Sequence, residues 1–271
     1  MKWSADPLVE ELRRSGYSSP GFAARYDANR PRPPAILVEL LCFVAHVERP
    51  ALVVDLGSGS GLSTRVWADR AESVVGVEPN PEMRAYAELR TSDENVRYLD
   101  AAAEATGLPD ACADIVTSAQ SLAWMDPDRV FGEIGRILRP GGVFAACNYR
   151  SLLTGSWELD QGFTDVRAAV GRLREELGLD RGNRRWSLSR ERLVASGQFR
   201  YTNETSVHSV EVGTPERLIN FLLSEGSVTT LLERVSEEAI GLDQLRAVAA
   251  RTRGNGPAPW YIGYGVWLGL K

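Results

Sequence analysis

The sequence predicts an α/β chain built on a doubly wound, mostly parallel sheet, and three stretches carry that prediction. Residues 51–56 form an apolar run that breaks into Gly57-Ser58-Gly59-Ser60-Gly61 and then into a helical pattern, which reads as strand, tight turn, helix. About 20 residues on, a second buried-strand pattern, Ser73–Val77, ends in the carboxylate of Glu78, the spacing of a βαβ unit. Residues 127–138 then place Val130, Phe131, Ile134, Ile137 and Leu138 on one helical face, and Arg139-Pro140-Gly141-Gly142 stops that helix ahead of another strand, 143–147.

The first two stretches also describe a ligand. Glycine at 57, 59 and 61 permits positive φ and lets a ligand approach the backbone where a Cβ would collide. A helix starting there aims unpaired N–H groups and its positive dipole end at the same spot, which favours an anionic group. Glu78 stands where doubly wound folds put a carboxylate on the two hydroxyls of a ribose. These are the parts of an adenosine-ligand site. Leu62 occupies the place of the third glycine of G-x-G-x-x-G, so the dinucleotide fingerprint is not completed.

Composition bounds the rest. At 271 residues, with 44% hydrophobic and 25% charged residues, the chain is an ordinary globular protein with a large core. A net charge of −5 leaves no global footprint for nucleic acid or anionic membrane. Cys42, Cys112 and Cys147 are scattered in apolar surroundings, which fits buried thiols in a reducing compartment, and no cysteine or histidine cluster has metal-ligand spacing. No apolar run approaches the roughly 20 residues of a membrane span, and residues 1–3 do not open a signal peptide, so a cytoplasmic protein is expected.

In chain order, residues 6–14 read as a short helix with Asp6 as N-cap and Pro7 in the first turn. Residues 22–34 mix aromatics and arginines, then prolines that forbid a continued helix, and 35–47 form an apolar helix before the first strand. Pro79-Asn80-Pro81 starts a helix in which Met83, Tyr86, Ala87 and Arg90 recur at helical spacing, with Met83 either a core methionine or a ligand contact. Val96–Leu99 is a third strand and 113–118 a fourth. Ala119-Gln120-Ser121-Leu122-Ala123-Trp124 follows at the carboxyl edge, where open α/β sheets bind ligands. Tyr149 and Arg150 fall at the next carboxyl edge. Residues 157–177 have helical stretches. Residues 181–192 gather Arg181, Arg184, Arg185, Arg190 and Arg192 around Trp186, either to recognise an anion or base or as a solvated loop before a helix capped by Ser189. Residues 199–208 alternate as a strand, 214–253 form a helical excursion, and 260–270 alternate as the last strand.

Asp55 followed by Gly57-x-Gly59-x-Gly61 resembles the first motif of class I S-adenosylmethionine-dependent methyltransferases. Tyr26-Asp27-x-x-Arg30-Pro31, the Ala103-Glu104…Leu108-Pro109 segment, the Trp124 region and the Leu138-Arg139-Pro140-Gly141-Gly142 turn extend the resemblance over residues 22–147, toward the small-molecule, trans-aconitate methyltransferase-like group. The resemblance departs from the family at three points. Ala102 replaces an aspartate beside the adenine amine, for which Glu104 or Asp100 is the substitute; Ala123 replaces a histidine; and Pro33 replaces an aromatic.

The resemblance implies a seven-stranded sheet with its last strand antiparallel, and N-terminal and late helical cover over the active site. It implies one domain: a cover over 1–50, a cofactor-binding core over 51–147, and substrate-side insertions with the last two strands over 148–271. The cofactor is S-adenosyl-L-methionine, leaving as S-adenosyl-L-homocysteine. Its contacts are Asp55, Gly57, Ser58, Gly59, Gly61, Glu78, Pro79, Asn80, Met83, Ala103, Glu104, Ala119 and Gln120. Tyr26, Arg30, Trp124, Tyr149 and Arg150 are substrate-side candidates, and no metal is expected. No catalytic base is identified: His46 and His208 are the only histidines, and methyl transfer from an activated sulfur proceeds by alignment in a water-poor pocket. The expected partner is a small metabolite, with no nucleic acid and no membrane, for a monomer or homodimer. Two alternatives stand beside this one: an RNA methyltransferase using residues 181–192, and a scaffold that binds the cofactor without turnover.

Overall fold

A computed structural model describes residues 17, 19–179, 186–253 and 256–271. Its elements are α1 (Phe22–Asn29), α2 (Ala35–Val44), β1 (Leu52–Leu56), β2 (Ser73–Val77), α3 (Pro81–Leu89), β3 (Val96–Leu99), β4 (Ala113–Ala119), α4 (Pro127–Ile137), β5 (Leu138–Leu153) and α5 (Trp157–Glu176). There follow α6 (Arg190–Ala195), β6 (Tyr201–Gly213), α7 (Pro215–Leu223), α8 (Gly226–Leu232), α9 (Leu242–Arg253) and β7 (Ala258–Leu270). The helix expected over residues 6–14 lies outside the described residues, as do Arg181, Arg184 and Arg185.

The seven strands form one sheet in the order β3-β2-β1-β4-β5-β7-β6. β1 pairs in parallel with β2 and β4, β2 with β3, and β4 with β5. Val53, Val54 and Leu56 of β1 and the valines of β2 are buried on both faces, as a parallel strand covered by helices requires. β7 runs the other way. Gly141 N–H donates to the Lys271 carbonyl, Lys271 N–H to Gly142, and Arg200 N–H to Leu270, so the starts of β5 and β6 lie beside the end of β7.

Internal contacts divide the chain into two compact units, with boundaries after residues 31, 150, 183, 209 and 262. The larger comprises residues 32–150, 184–209 and 263–271. Its helices start as the sequence dictates. The Asn80 side chain accepts from Glu82 and Met83 N–H at the head of α3, and the Asp126 side chain accepts from Asp128 and Arg129 N–H at the head of α4, each followed by proline in the first turn. α4 buries Val130, Phe131, Ile134 and Ile137 against the sheet, and the Lys271 ammonium donates to the carbonyls of Gly135 and Leu138 at its far end.

The smaller unit comprises residues up to 31, 151–183 and 210–262. Within it α1 packs on α7, and α5 on α8 and α9. The Arg30 guanidinium lies 4.8 Å from the Tyr26 ring centroid and 4.7 Å from that of Phe221, while donating to the hydroxyl and carbonyl of Ser224. Arg174, buried in α5, donates to the Ser227 carbonyl and the Thr230 hydroxyl of α8.

Two expectations need correcting. After Gly61 there is no α-helix but a run of turns around a 3-10 turn, Arg65–Trp67. Ser63 and Thr64 both turn their hydroxyls onto the same oxygen of Asp55, and adjacent residues of an α-helix point about 100° apart, so that pairing is incompatible with a helix there. The stretch 138–142 is not a separate loop. It belongs to β5, as an irregularity between the Ala113–Leu138 and Ile115–Val143 pairs, with Gly141 at φ 80°.

Candidate functional site at the carboxyl edge of the sheet

β1, β2 and β4 are parallel and adjacent, so the turns that leave their carboxyl ends meet. The sheet order reverses between β1 and β4, the place where open α/β sheets hold ligands. The first turn is the glycine run. Gly57, Gly59 and Gly61 have φ of 66°, 56° and 83°, and the N–H groups of Gly57 and Ser58 both donate to the Val77 carbonyl, tying the turn to the end of β2. A Cβ on Gly57 would lie 2.5 Å from that of Ser121, so the turn after β1 and the turn after β4 interlock.

Asp55 organises this turn from below. It has no exposed surface and accepts from Ser63 (2.6 Å), Thr64 (2.7 Å) and Thr117 (2.8 Å). Burial pushes its carboxyl up, and the three hydroxyls oppose that shift.

Glu78 is the second anchor. One carboxylate oxygen accepts from Gly59 N–H at 2.8 Å and the other from Asn80 N–H at 2.8 Å, so a single side chain bridges the glycine turn and the head of α3. Each oxygen keeps a second lone pair. Burial pushes this carboxyl up as well, against its two N–H donors and the nearby Arg84, which donates to the Glu78 carbonyl. Met83 is buried, and its methyl approaches the face of Gly59. Pro79 is half-buried between Glu78 and Asn80. The Ser58 hydroxyl is buried without a hydrogen-bond partner among the described residues. A turn that excludes side chains and holds an orphaned hydroxyl beside a bridging carboxylate fits the adenosine ligand that the motif implies.

The third wall follows β4. Gln120 adopts φ 62°, uncommon for a residue other than glycine, and its N–H donates to the Cys147 carbonyl at the neighbouring strand. Ser121 donates to the Leu56 carbonyl and bonds the Ser118 hydroxyl, a short polar chain from β4 to β1. Ala119 borders a small apolar cavity of about 20 Å³ that also touches Leu37, Trp67, Ala145 and Cys147, room for roughly one water. Beyond β3, Ala103 is buried and Glu104 accepts from Asp126 N–H at 2.8 Å, while Asp100 pairs with Arg84.

Residues 54–146 of the chain match a family model described as a methyltransferase domain, and they fall within the larger unit that carries this edge. Within the larger unit, residues 54–146 are thus similar to a methyltransferase domain. The chain is 37% identical over 113 residues to a malonyl-[acyl-carrier protein] O-methyltransferase from Pectobacterium atrosepticum, covering 41% of this chain and 43% of that protein. It is 35% identical over 135 residues to a trans-aconitate 2-methyltransferase from Methylobacterium radiotolerans, covering 47% of each. The chain thus spans about half the length of the curated relatives it matches. Among solved structures, a putative type II methyltransferase from Anaeromyxobacter dehalogenans matches with a TM-score of 0.63 and 26% identity, over 89% of this chain and 97% of that one.

The substrate-side candidates fall in both units. Trp124 lies half-buried in the 3-10 turn after β4, Tyr149 packs at a tilt against Tyr264 near the end of β5, and Arg150 pairs with Glu204 and lies over the Trp267 ring. Tyr26 and Arg30 belong to the smaller unit, where Arg30 is buried as described above. Trp186, centre of the arginine-rich segment, donates its indole N–H to the Met125 carbonyl, packs on Phe131, and carries Arg192 over its ring. Ser189 caps α6. The sequence does not mark Ser63, Thr64, Thr117 and Ser121 as site residues. Their signal is weak, a hydroxyl residue at a strand end or turn, and it gains meaning only once β1 and β4 are known to be neighbours.

Among the described residues no group of three His, Cys, Asp or Glu side chains forms a metal site, and no helix is long and apolar enough to cross a membrane.

Proposed function

We propose that the chain transfers a methyl group from S-adenosyl-L-methionine to a small metabolite, as a cytoplasmic monomer or homodimer. The observation that carries the reading is the bridge between Gly59 and Glu78, which sets a two-oxygen carboxylate against a side-chain-free turn at the switch point of the sheet.

Glu78 would hold the ribose hydroxyls, the turn from Gly57 to Gly61 the methionine end, and Asn80, Met83, Ala103 and Glu104 the surroundings of the adenosine. S-adenosylmethionine supplies a methyl group already activated by its positively charged sulfur. The chain's own residues then serve to orient and to exclude water. Asp55 fixes the turn through three hydroxyls, and Ser121 and Gln120 fix the wall opposite it. His46 and His208 are both exposed, in the turn after α2 and on β6, so alignment rather than a histidine base carries the proposed mechanism.

A small acceptor is favoured over RNA by the net charge of −5 and by Trp186, whose ring and indole N–H are engaged by Phe131, Arg192 and Met125 rather than offered as a stacking platform. The test is S-adenosylhomocysteine formation from S-adenosylmethionine across small carboxylates, phenols, amines and RNA. Product with a small-molecule class supports the reading. Product with RNA alone transfers it to the RNA alternative, and cofactor binding with no product in any class favours the scaffold.

A further inference from the structure

The segment 100–109 follows β3 and begins beside the ribose carboxylate, since Glu78 N–H donates to the Leu99 carbonyl at 3.1 Å. It has no regular secondary structure beyond the Ala102–Ala105 bridge. Position 102 is alanine, one oxygen of Asp100 pairs with Arg84, and one oxygen of Glu104 accepts from Asp126 N–H. Hydrogen bonds from this segment to a base therefore depend on where its backbone holds its peptide groups and Glu104. Backbone recognition is only as well placed as the segment itself.

The segment is held by one side chain of α4. An oxygen of Glu133 accepts from Thr106 N–H at 2.8 Å and from the Thr106 hydroxyl at 2.5 Å, and that hydroxyl in turn accepts from Leu108 N–H at 3.2 Å. Arg136 grips the same carboxylate with two nitrogens, at 2.8 and 2.7 Å, and reaches Asp110 with a third at 2.5 Å. Glu133 and Thr106 are buried, only 8% and 5% exposed, so these are charge-assisted bonds away from water.

We infer that Glu133 is a positioning residue for the adenine end of the cofactor site, acting through Thr106 to fix the backbone of residues 100–109. The inference rests on the proposed S-adenosylmethionine reading of this edge. Glu133 touches no reacting atom; it sets the affinity for adenosine-containing ligands.

The experiment is calorimetric titration of S-adenosylhomocysteine and of 5′-methylthioadenosine, which lacks the amino-acid end, into the full-length protein and its Glu133→Gln, Thr106→Val, Thr106→Ser and Asp110→Ala variants. Unliganded melting temperatures are measured in parallel. Glu133→Gln and Thr106→Val are expected to weaken both ligands by the same factor, about tenfold, the worth of one charge-assisted hydrogen bond. Thr106→Ser restores the hydroxyl and the affinity, and Asp110→Ala stays within about twofold of the parent, as an exposed partner should. A purely structural role would lower the melting temperature and leave the affinity of the folded protein unchanged; that result overturns the inference while the cofactor reading stands. If Glu133→Gln does not fold, the Thr106→Val and Thr106→Ser pair decides. Failure of the parent protein to bind either ligand overturns the cofactor reading and the inference with it.

Discussion

Gly57 sits in the left-handed region at φ 66°, with Ser121 and Met125 where its side chain would be. Gly57→Ala should therefore cost about 1–3 kcal/mol in urea unfolding, from strained backbone and collision together. Gly141, at φ 80° with open space around its missing Cβ, isolates the backbone part, and Gly141→Ala should cost less, about 1 kcal/mol. Equal losses at the two sites would mean that the interlock with Ser121 does not constrain the turn. Glu133 makes a pH prediction. The Arg136 fork and the Thr106 donors hold its carboxyl down from 4.5 to about 2. A folded-state value below the unfolded one gives stabilisation that is complete above pH 4.5 and fades as the pH falls toward 2. The stability gap between the parent and Glu133→Gln should be widest above pH 4.5 and should close through that window. A gap independent of pH would contradict the ionised clamp.

At the scale of elements, α3 depends on its cap, because the Asn80 side-chain oxygen Oδ1 takes both Glu82 N–H (3.0 Å) and Met83 N–H (3.3 Å). Asn80→Ala should cost about 1 kcal/mol in thermal unfolding and Asn80→Asp little, whereas equal losses would argue against capping. This helix, like β1 to β4, was legible in the sequence because its signals are local: an apolar run, a capping residue, a proline in the first turn. The glycine turn and Glu78 were legible as a pair because parallel strands of a βαβ unit bring their carboxyl ends together. What the sequence did not reveal depends on partners far along the chain. Asp55 meets Thr117 only because β1 neighbours β4, and with Ser63 and Thr64 drawn onto the same carboxylate the expected helix after Gly61 gives way to turns. Thr106 and Glu133 are 27 residues apart, and neither carries a periodic signal. The β5 irregularity was hidden for the opposite reason: Pro140 and Gly141 read locally as a loop, while pairing with β4 and with Lys271 keeps them in the sheet.

On the scale of the whole molecule, the larger unit is expected to be a ligand-linked fold. A ligand that binds only the folded state should stabilise it by about 2.7 kcal/mol at a hundred times its Kd, so S-adenosylhomocysteine should raise the melting temperature in a concentration-dependent way. The smaller unit buries two arginines, Arg30 and Arg174, in contacts of its own, so their replacement is expected to act on stability first. The central claim is that the carboxyl edge holds S-adenosylmethionine through the carboxylate that bridges Gly59 and Asn80. Its most direct test is calorimetric titration of S-adenosylmethionine and S-adenosylhomocysteine into the full-length protein and into Glu78→Ala and Glu78→Gln, with melting temperatures recorded for each. The parent should bind both ligands, and both variants, while folded, should lose at least about tenfold in affinity. Absence of binding by the parent, or binding by folded Glu78→Ala as tight as the parent's, would contradict it.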